Sequence, residues 1–168
     1  MPIELRPYRP ADWLALLESE AAFAESFGVP CVPGLRAFLV GEDVSEEWRA
    51  DLRGARAADP WSHGFAIFDP EAGAVVGNLG FKGPPDAHGC VEIAYGVVPS
   101  VEGRGVATAA ARAGLEFARS QPGVRAVRAH TLPERNASNA ILAKLGFEDL
   151  GPVEDAEDGT VWRFELAL

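Results

Sequence analysis

A chain of 168 residues, 48% of them apolar, is long enough to bury one sizeable core, and a single domain over residues 1–168 is the expectation. Its 15 basic and 25 acidic residues leave a formal charge of −10, which argues against a nucleic-acid partner and suits a cationic one. No apolar run approaches the ~20 residues of a membrane span, Met1-Pro2-Ile3-Glu4 lacks a basic-then-apolar leader, and the two cysteines and three histidines show neither disulfide-framework nor metal-site spacing, so a cytoplasmic protein with no membrane and no metal is expected.

Residues 3–6 alternate as a short strand, and Asp12 caps or leads a helix that carries Trp13, Leu14, Leu16 and Leu17 toward a core. A stretch broken by glycine and proline follows over 28–34. Ser45 with Glu46 and Glu47 opens a second helix that runs to about Arg56, where Asp59-Pro60 is expected to stop it. Strands over 64–68, 74–82 and 91–98, separated by proline- and glycine-rich turns, form an antiparallel meander. In the third of them the odd positions are bulky and the even ones are Glu92, Ala94 and Gly96. One face is therefore core, with Tyr95 on it, and the other is a small-residue floor carrying one carboxylate.

The run Val97-Val98-Pro99-Ser100-Val101-Glu102-Gly103-Arg104-Gly105-Val106-Ala107-Thr108 puts two glycines where this strand turns into a helix. Such a turn offers bare backbone N–H groups and a helix dipole to a phosphate-bearing ligand. Val106, Ala107 and Thr108 occupy the places where a P-loop needs Lys-Ser or Lys-Thr and a dinucleotide fingerprint needs a third glycine, so both nucleotide readings weaken. Arg104, Arg112, Arg119 and Arg125 outnumber Glu102 and Glu116 nearby, either as a local positive patch or as a solvated helix face. The helix over 106–119 carries Ala107, Ala110, Ala111 and Gly114 at helical spacing for close approach to a sheet. A strand over 124–131 returns parallel to the one before the helix and creates a cleft. A helix over 136–145, capped at its end by Gly146, and two strands around 148–150 and 161–166 complete the chain.

Together, the glycine turn and the run from Asn136-Ala137-Ser138-Asn139 to Lys144-Leu145-Gly146-Phe147 resemble the GNAT superfamily of acetyl-CoA-dependent N-acetyltransferases, in its RimJ/RimL branch, and the likeness extends over nearly the whole chain. Ser100 and Glu102 depart from the pattern, at places where the family often has Gln or Arg and a basic residue. The resemblance implies an α/β (α+β) fold: a mixed, mostly antiparallel sheet of about seven strands flanked by about four helices, with the cofactor in a cleft between splayed parallel strands. It also implies acetyl-CoA as co-substrate, a small-molecule or peptide amine as acceptor, and the dimers common in the family.

Acyl transfer to an amine needs a base, donors to the carbonyl oxygen and a partner for the departing thiolate. Glu92 is the candidate base, with a role-free strand glutamate as the alternative. Ser138 is the candidate thiolate partner, with a plain helix cap as the alternative; no tyrosine lies between residues 136 and 145. The resemblance implies that the main chain of Val97 or Val98 faces the thioester and pairs with the pantetheine arm. Gly103, Arg104, Gly105, Val106, Ala107 and Thr108 are expected on the diphosphate, and Asn136 and Asn139 on amides of the arm. On the acceptor side, Phe23, Phe27, Trp48 and Trp61 with Glu25, Asp43, Glu46, Glu47 and Asp51 read either as an apolar lid with an acidic fringe or as plain packing. Two other readings stay open: a noncatalytic acyl-CoA-binding module, and a nucleotide-binding domain that shares the glycine turn.

Overall fold

Over residues 2–41 and 44–168, which this computed structural model describes, the chain runs β1 (Glu4–Pro7), α1 (Pro10–Glu18), α2 (Glu20–Phe27), α3 (Leu35–Leu39), α4 (Glu46–Gly54), α5 (Pro60–His63), β2 (Phe65–Asp69), β3 (Ala74–Phe81), β4 (Cys90–Val97), α6 (Val106–Ser120), β5 (Ala126–Thr131), α7 (Ala137–Lys144), β6 (Glu148–Asp155) and β7 (Gly159–Ala167). The strands form one sheet in the order β1-β2-β3-β4-β5-β7-β6. Every neighbouring pair is antiparallel except β4–β5, which is parallel, as a crossover through α6 requires. Among the described residues no helix is long and apolar enough to cross a membrane.

Seven α-helices stand among the described residues where about four are expected, because short polar side chains restart the backbone several times. Ser19 is fully extended, with φ −170° and ψ 163°; it ends α1 and caps α2 by accepting the Ala22 N–H at 2.9 Å. Asp59-Pro60 does not stop α4, which has already ended at Gly54, but opens α5: Asp59 accepts the Trp61 N–H at 3.0 Å and Pro60 takes a first-turn position where no N–H is needed. Asp12 is fully buried and holds the entry to α1 by accepting the Arg9 N–H at 2.8 Å and the Ser26 hydroxyl at 2.8 Å.

α6 lies close on the sheet. Of its stripe of small residues Ala110, Ala111 and Gly114 are buried and Ala107 partly so, and a Cβ added at Gly114 would come within 2.7 Å of Leu79 Cδ1 and 3.0 Å of Ile93 Cδ1. α7 ends in a paired-carbonyl cap: Gly146, at φ +92°, donates its N–H to Ala143 O at 3.1 Å, and Phe147 donates to Leu142 O at 3.0 Å. Leu142 and Phe147 are both buried, which anchors α7 to the second half of the sheet.

Candidate active site

The parallel ladder between β4 and β5 consists of Cys90↔Ala126, Val91↔Val127 and Glu92↔Arg128, and then the strands part. What the separated part of β4 presents follows from its register with β3. Lys82 N–H donates to Glu92 O at 2.9 Å and Val98 N–H donates to Val76 O at 2.9 Å, so the even residues of β4 turn their main chain toward β3. By alternation, Tyr95 and Val97 turn theirs toward the gap that β5 has left. Val98 is thereby corrected as a donor to the thioester: its N–H is already spent on β3 and the residue is buried.

At the end of β4 the chain passes through a 3-10 turn, Pro99–Val101, into the two glycines. Gly103 has φ +79° and Gly105 φ +80°, with nothing within 4 Å of where a Cβ would stand, so the backbone conformation and not crowding calls for glycine here. Gly105 occupies the N-cap of α6 and offers no side chain to the first turn. Among the described residues, none of the N–H groups from Gly103 to Thr108 has a hydrogen-bond partner. They border a cavity of about 760 Å³, closed by Tyr95, Gly96 and Val97 from β4, by Ala137, Ser138, Ile141 and Lys144 from α7, and by Phe38 from α3.

Ser138 is not the helix cap. Asn136 caps α7 by accepting the Asn139 N–H at 3.0 Å, and Asn139 Oδ1 accepts the Asn136 N–H at 3.1 Å in return. Asn139 Nδ2 also donates to Thr131 Oγ1 at 2.7 Å, tying α7 to the end of β5. Both asparagines line a second cavity, of about 660 Å³, between α7 and β6–β7, and neither lines the first. Their role in the structure is to seat α7, and the result is that Ser138 lines the main cavity with no hydrogen-bond partner among the described residues.

Glu92 lies where the ladder ends. Its Oε2 is 2.9 Å from Lys82 Nζ and its Oε1 is 3.0 Å from His130 Nδ1, while Arg163 Nε donates to His130 Nε2 at 3.0 Å. The hydrogen bond to Glu92 raises Lys82 above the ordinary lysine value, so it is an ammonium at neutral pH. Lys82, His130 and Arg163 escape a reading of the sequence because they come from three distant places in the chain, the turn just after β3, β5 and β7; the alternation of β5 alone places His130 on the face of Arg128.

Tyr95 sits on the core face of β4, as expected, but it is only partly buried and lines the cavity, where its hydroxyl is buried without a partner among the described residues. Burial pushes this phenol up to about 12. The arginines do not converge: Arg104 is exposed on the turn, Arg119 pairs with Glu116 at 2.7 Å, and Arg125 packs beside Gly89, at the start of β4. The cation that lines the cavity is Lys144.

The lid reading fails for the aromatics. Phe23 is fully buried and stacks on Phe27 with centroids 5.1 Å apart, Trp48 packs on Trp13 at 5.7 Å, and Trp61 packs on Phe81 at 5.0 Å. Phe38, 43% exposed and lying over Gly96, is the ring that reaches the cavity instead. Glu25, Glu46, Glu47 and Asp51 are exposed, and Asp43 lies outside the described residues.

Among solved structures, Mycobacterium smegmatis RimJ in complex with CoA-disulfide is 26% identical, with a TM-score of 0.65 over 98% of this chain and 81% of its own. A GNAT-family acetyltransferase from Bacillus anthracis is 17% identical, with a TM-score of 0.63 over 99% and 95%. RimL, a ribosomal alpha-N-protein acetyltransferase in complex with coenzyme A, is 18% identical, with a TM-score of 0.64 over 99% and 94%. No curated protein matches the chain by sequence. The sequence itself matches the acetyltransferase (GNAT) domain over residues 3–148, and the chain therefore belongs to the GNAT acetyltransferase family.

Proposed function

We propose that this protein is an N-acetyltransferase of the RimJ/RimL type that moves the acetyl group of acetyl-CoA to a primary amine, on a protein N-terminus or a small molecule, by direct attack. The observation that carries this reading is the run of partnerless N–H groups from Gly103 to Thr108 among the described residues, opening on a cavity that reaches the strand gap at Tyr95, Gly96 and Val97. A diphosphate satisfies such a run, and Lys144 brings positive charge to the cavity, which Glu102 also lines, in a molecule of net charge −10. An extended amide-bearing arm fits the unpaired main chain of Tyr95 and Val97, and the orphaned Tyr95 hydroxyl offers it one more donor. Asn136, whose side-chain NH₂ is free beside its capping oxygen, and Asn139 are within this reading as the residues that set α7 against that arm.

Acetyl-CoA supplies an activated thioester carbonyl. Val97 N–H, held rigid by the β3 ladder, donates to its oxygen. Glu92 takes a proton from the acceptor ammonium, which otherwise has no lone pair with which to attack. As the carbon–sulfur bond breaks, Ser138 donates to the sulfur from the first turn of α7, where the helix dipole favours negative charge. A soluble, cytoplasmic enzyme, active as a monomer or a homodimer, is consistent with this chemistry.

Free-thiol release from acetyl-CoA over a panel of primary amines tests the proposal: release with at least one amine is the expected outcome. Calorimetric binding of CoA with no release across the panel would instead mark a noncatalytic acyl-CoA module. Competition by ATP or NAD in place of CoA would mark a nucleotide site.

A further inference from the structure

Both carboxylate oxygens of Glu92 are engaged, Oε2 by Lys82 Nζ at 2.9 Å and Oε1 by His130 Nδ1 at 3.0 Å. On the far side of the imidazole, Arg163 Nε lies 3.0 Å from His130 Nε2. An arginine Nε always carries its hydrogen and has no lone pair to offer, so it donates and His130 Nε2 is left to accept. The proton of the neutral ring then sits on Nδ1, the nitrogen that lies 3.0 Å from Glu92 Oε1. We propose that His130 is a positioning residue for Glu92, locked by Arg163 as its Nδ1–H tautomer, and that this lock decides which carboxylate oxygen meets the acceptor amine. The inference rests on the reading of Glu92 as the base.

Mobility separates the two oxygens. The side chains of His130 and Glu92 are 12% and 19% exposed, whereas that of Lys82 is 53% exposed. His130 is held between two partners inside the sheet; Lys82 hangs from the end of β3 on a flexible stem. An incoming ammonium replaces the Lys82 ammonium at Oε2, one cation for another, while the imidazole keeps Oε1 in place. The ammonium N–H bond then breaks, an O–H bond forms at Oε2, and the amine retains the electron pair that attacks the thioester carbon. Asp155 and Asp158, at the turn between β6 and β7, already act on Lys82 and receive its charge when it leaves. The other charged groups about this pair are Arg163 and Glu165 from β7 and Arg128 from β5, the last two joined to each other at 2.6 Å.

Nitrogen-15 NMR of histidine-labelled protein near neutral pH reads the tautomer directly. A protonated Nδ1 with an unprotonated Nε2 at His130 is the expected spectrum, and Arg163→Leu is expected to redistribute it. In steady-state kinetics His130→Ala lowers kcat by about tenfold with the KM for acetyl-CoA nearly unchanged. His130→Asn, which returns an amide N–H near the position of Nδ1, recovers most of that loss, with circular dichroism melts verifying that both variants fold. A ring protonated on Nε2, or an Asn variant no better than the Ala one, overturns the proposal. Unchanged turnover in Glu92→Gln overturns the base reading and this one with it, whereas an impaired Glu92→Gln beside an unaffected His130→Ala overturns this one alone.

Discussion

Two hydroxyls line this cavity without a partner among the described residues: Tyr95 Oη is buried and incurs a desolvation cost, whereas Ser138 Oγ belongs to a partly exposed residue. They lead to different predictions. Ser138 reaches the cavity from the first turn of α7, and under the proposed role as thiolate partner Ser138→Ala is expected to lower kcat by about tenfold or more while the KM for acetyl-CoA stays nearly constant. Unchanged kcat in steady-state assays would return Ser138 to an ordinary helix position. Tyr95 carries a pH prediction, because burial lifts its phenol from 10.0 to about 12. Below pH 10 the phenol is protonated in folded and unfolded chains alike. Between 10 and about 12 the unfolded chain releases the proton and the folded one retains it, so stability falls as pH rises through that window. Tyr95→Phe removes this contribution. Guanidinium midpoints measured at about pH 9 and about pH 11.5 then fall less for the variant than for the parent protein.

Among the elements, α6 does two jobs, one through its buried face and one through its first turn. Its small stripe lets it sit close on the sheet, and its first turn presents the free N–H groups. A larger residue at the contact is felt in both: Gly114→Val, forced against Leu79 and Ile93, costs about 2 kcal/mol in denaturant unfolding and tilts the first turn. CoA titration is expected to show weaker binding of that variant, and unaltered affinity at reduced stability would uncouple the two. The close approach of α6 was legible in the sequence because a helix period of small residues is a local pattern, and so was the turn at Gly103 and Gly105. The alternation around Glu92 was legible for the same reason. The spent N–H of Val98 was not, since it depends on the register of β4 with β3 across more than twenty residues of chain. Nor was the extended Ser19, whose hydroxyl caps a second helix where the first ends. The partners of Glu92 escaped because Lys82, His130 and Arg163 become neighbours only when β3, β5 and β7 line up beside β4.

Across the whole molecule, the outer strands are guarded against pairing with other chains. β1 is four residues long and carries an Arg6–Glu4 pair at 2.8 Å, and β6 carries Pro152, a register break between Asp149 and Gly151, and the carboxylates of Glu148, Asp149, Glu154 and Asp155. The weak line runs through the middle. Among the described residues the ladder between β4 and β5 is only three residue pairs long, supported by the Glu92–His130 contact and by Gly89 O, which accepts the Arg125 and Ala126 N–H groups, so the sheet is two leaves hinged on a short spine. The leaf after the spine should breathe open at lower cost than either leaf unravels, and its amides should exchange with solvent as a group. A ligand lying between the leaves acts as a binding thread: it touches β4 and the first turn of α6 on one side and α7 on the other. Hydrogen exchange with and without CoA is expected to slow across β5 and α7 far more than across β1 and β2, and melting is expected to shift upward with ligand concentration. Uniform slowing would mean that the leaves never part. If they do part, the short ladder that under the proposed function leaves room for a thioester also makes closure of the two leaves sensitive to that ligand.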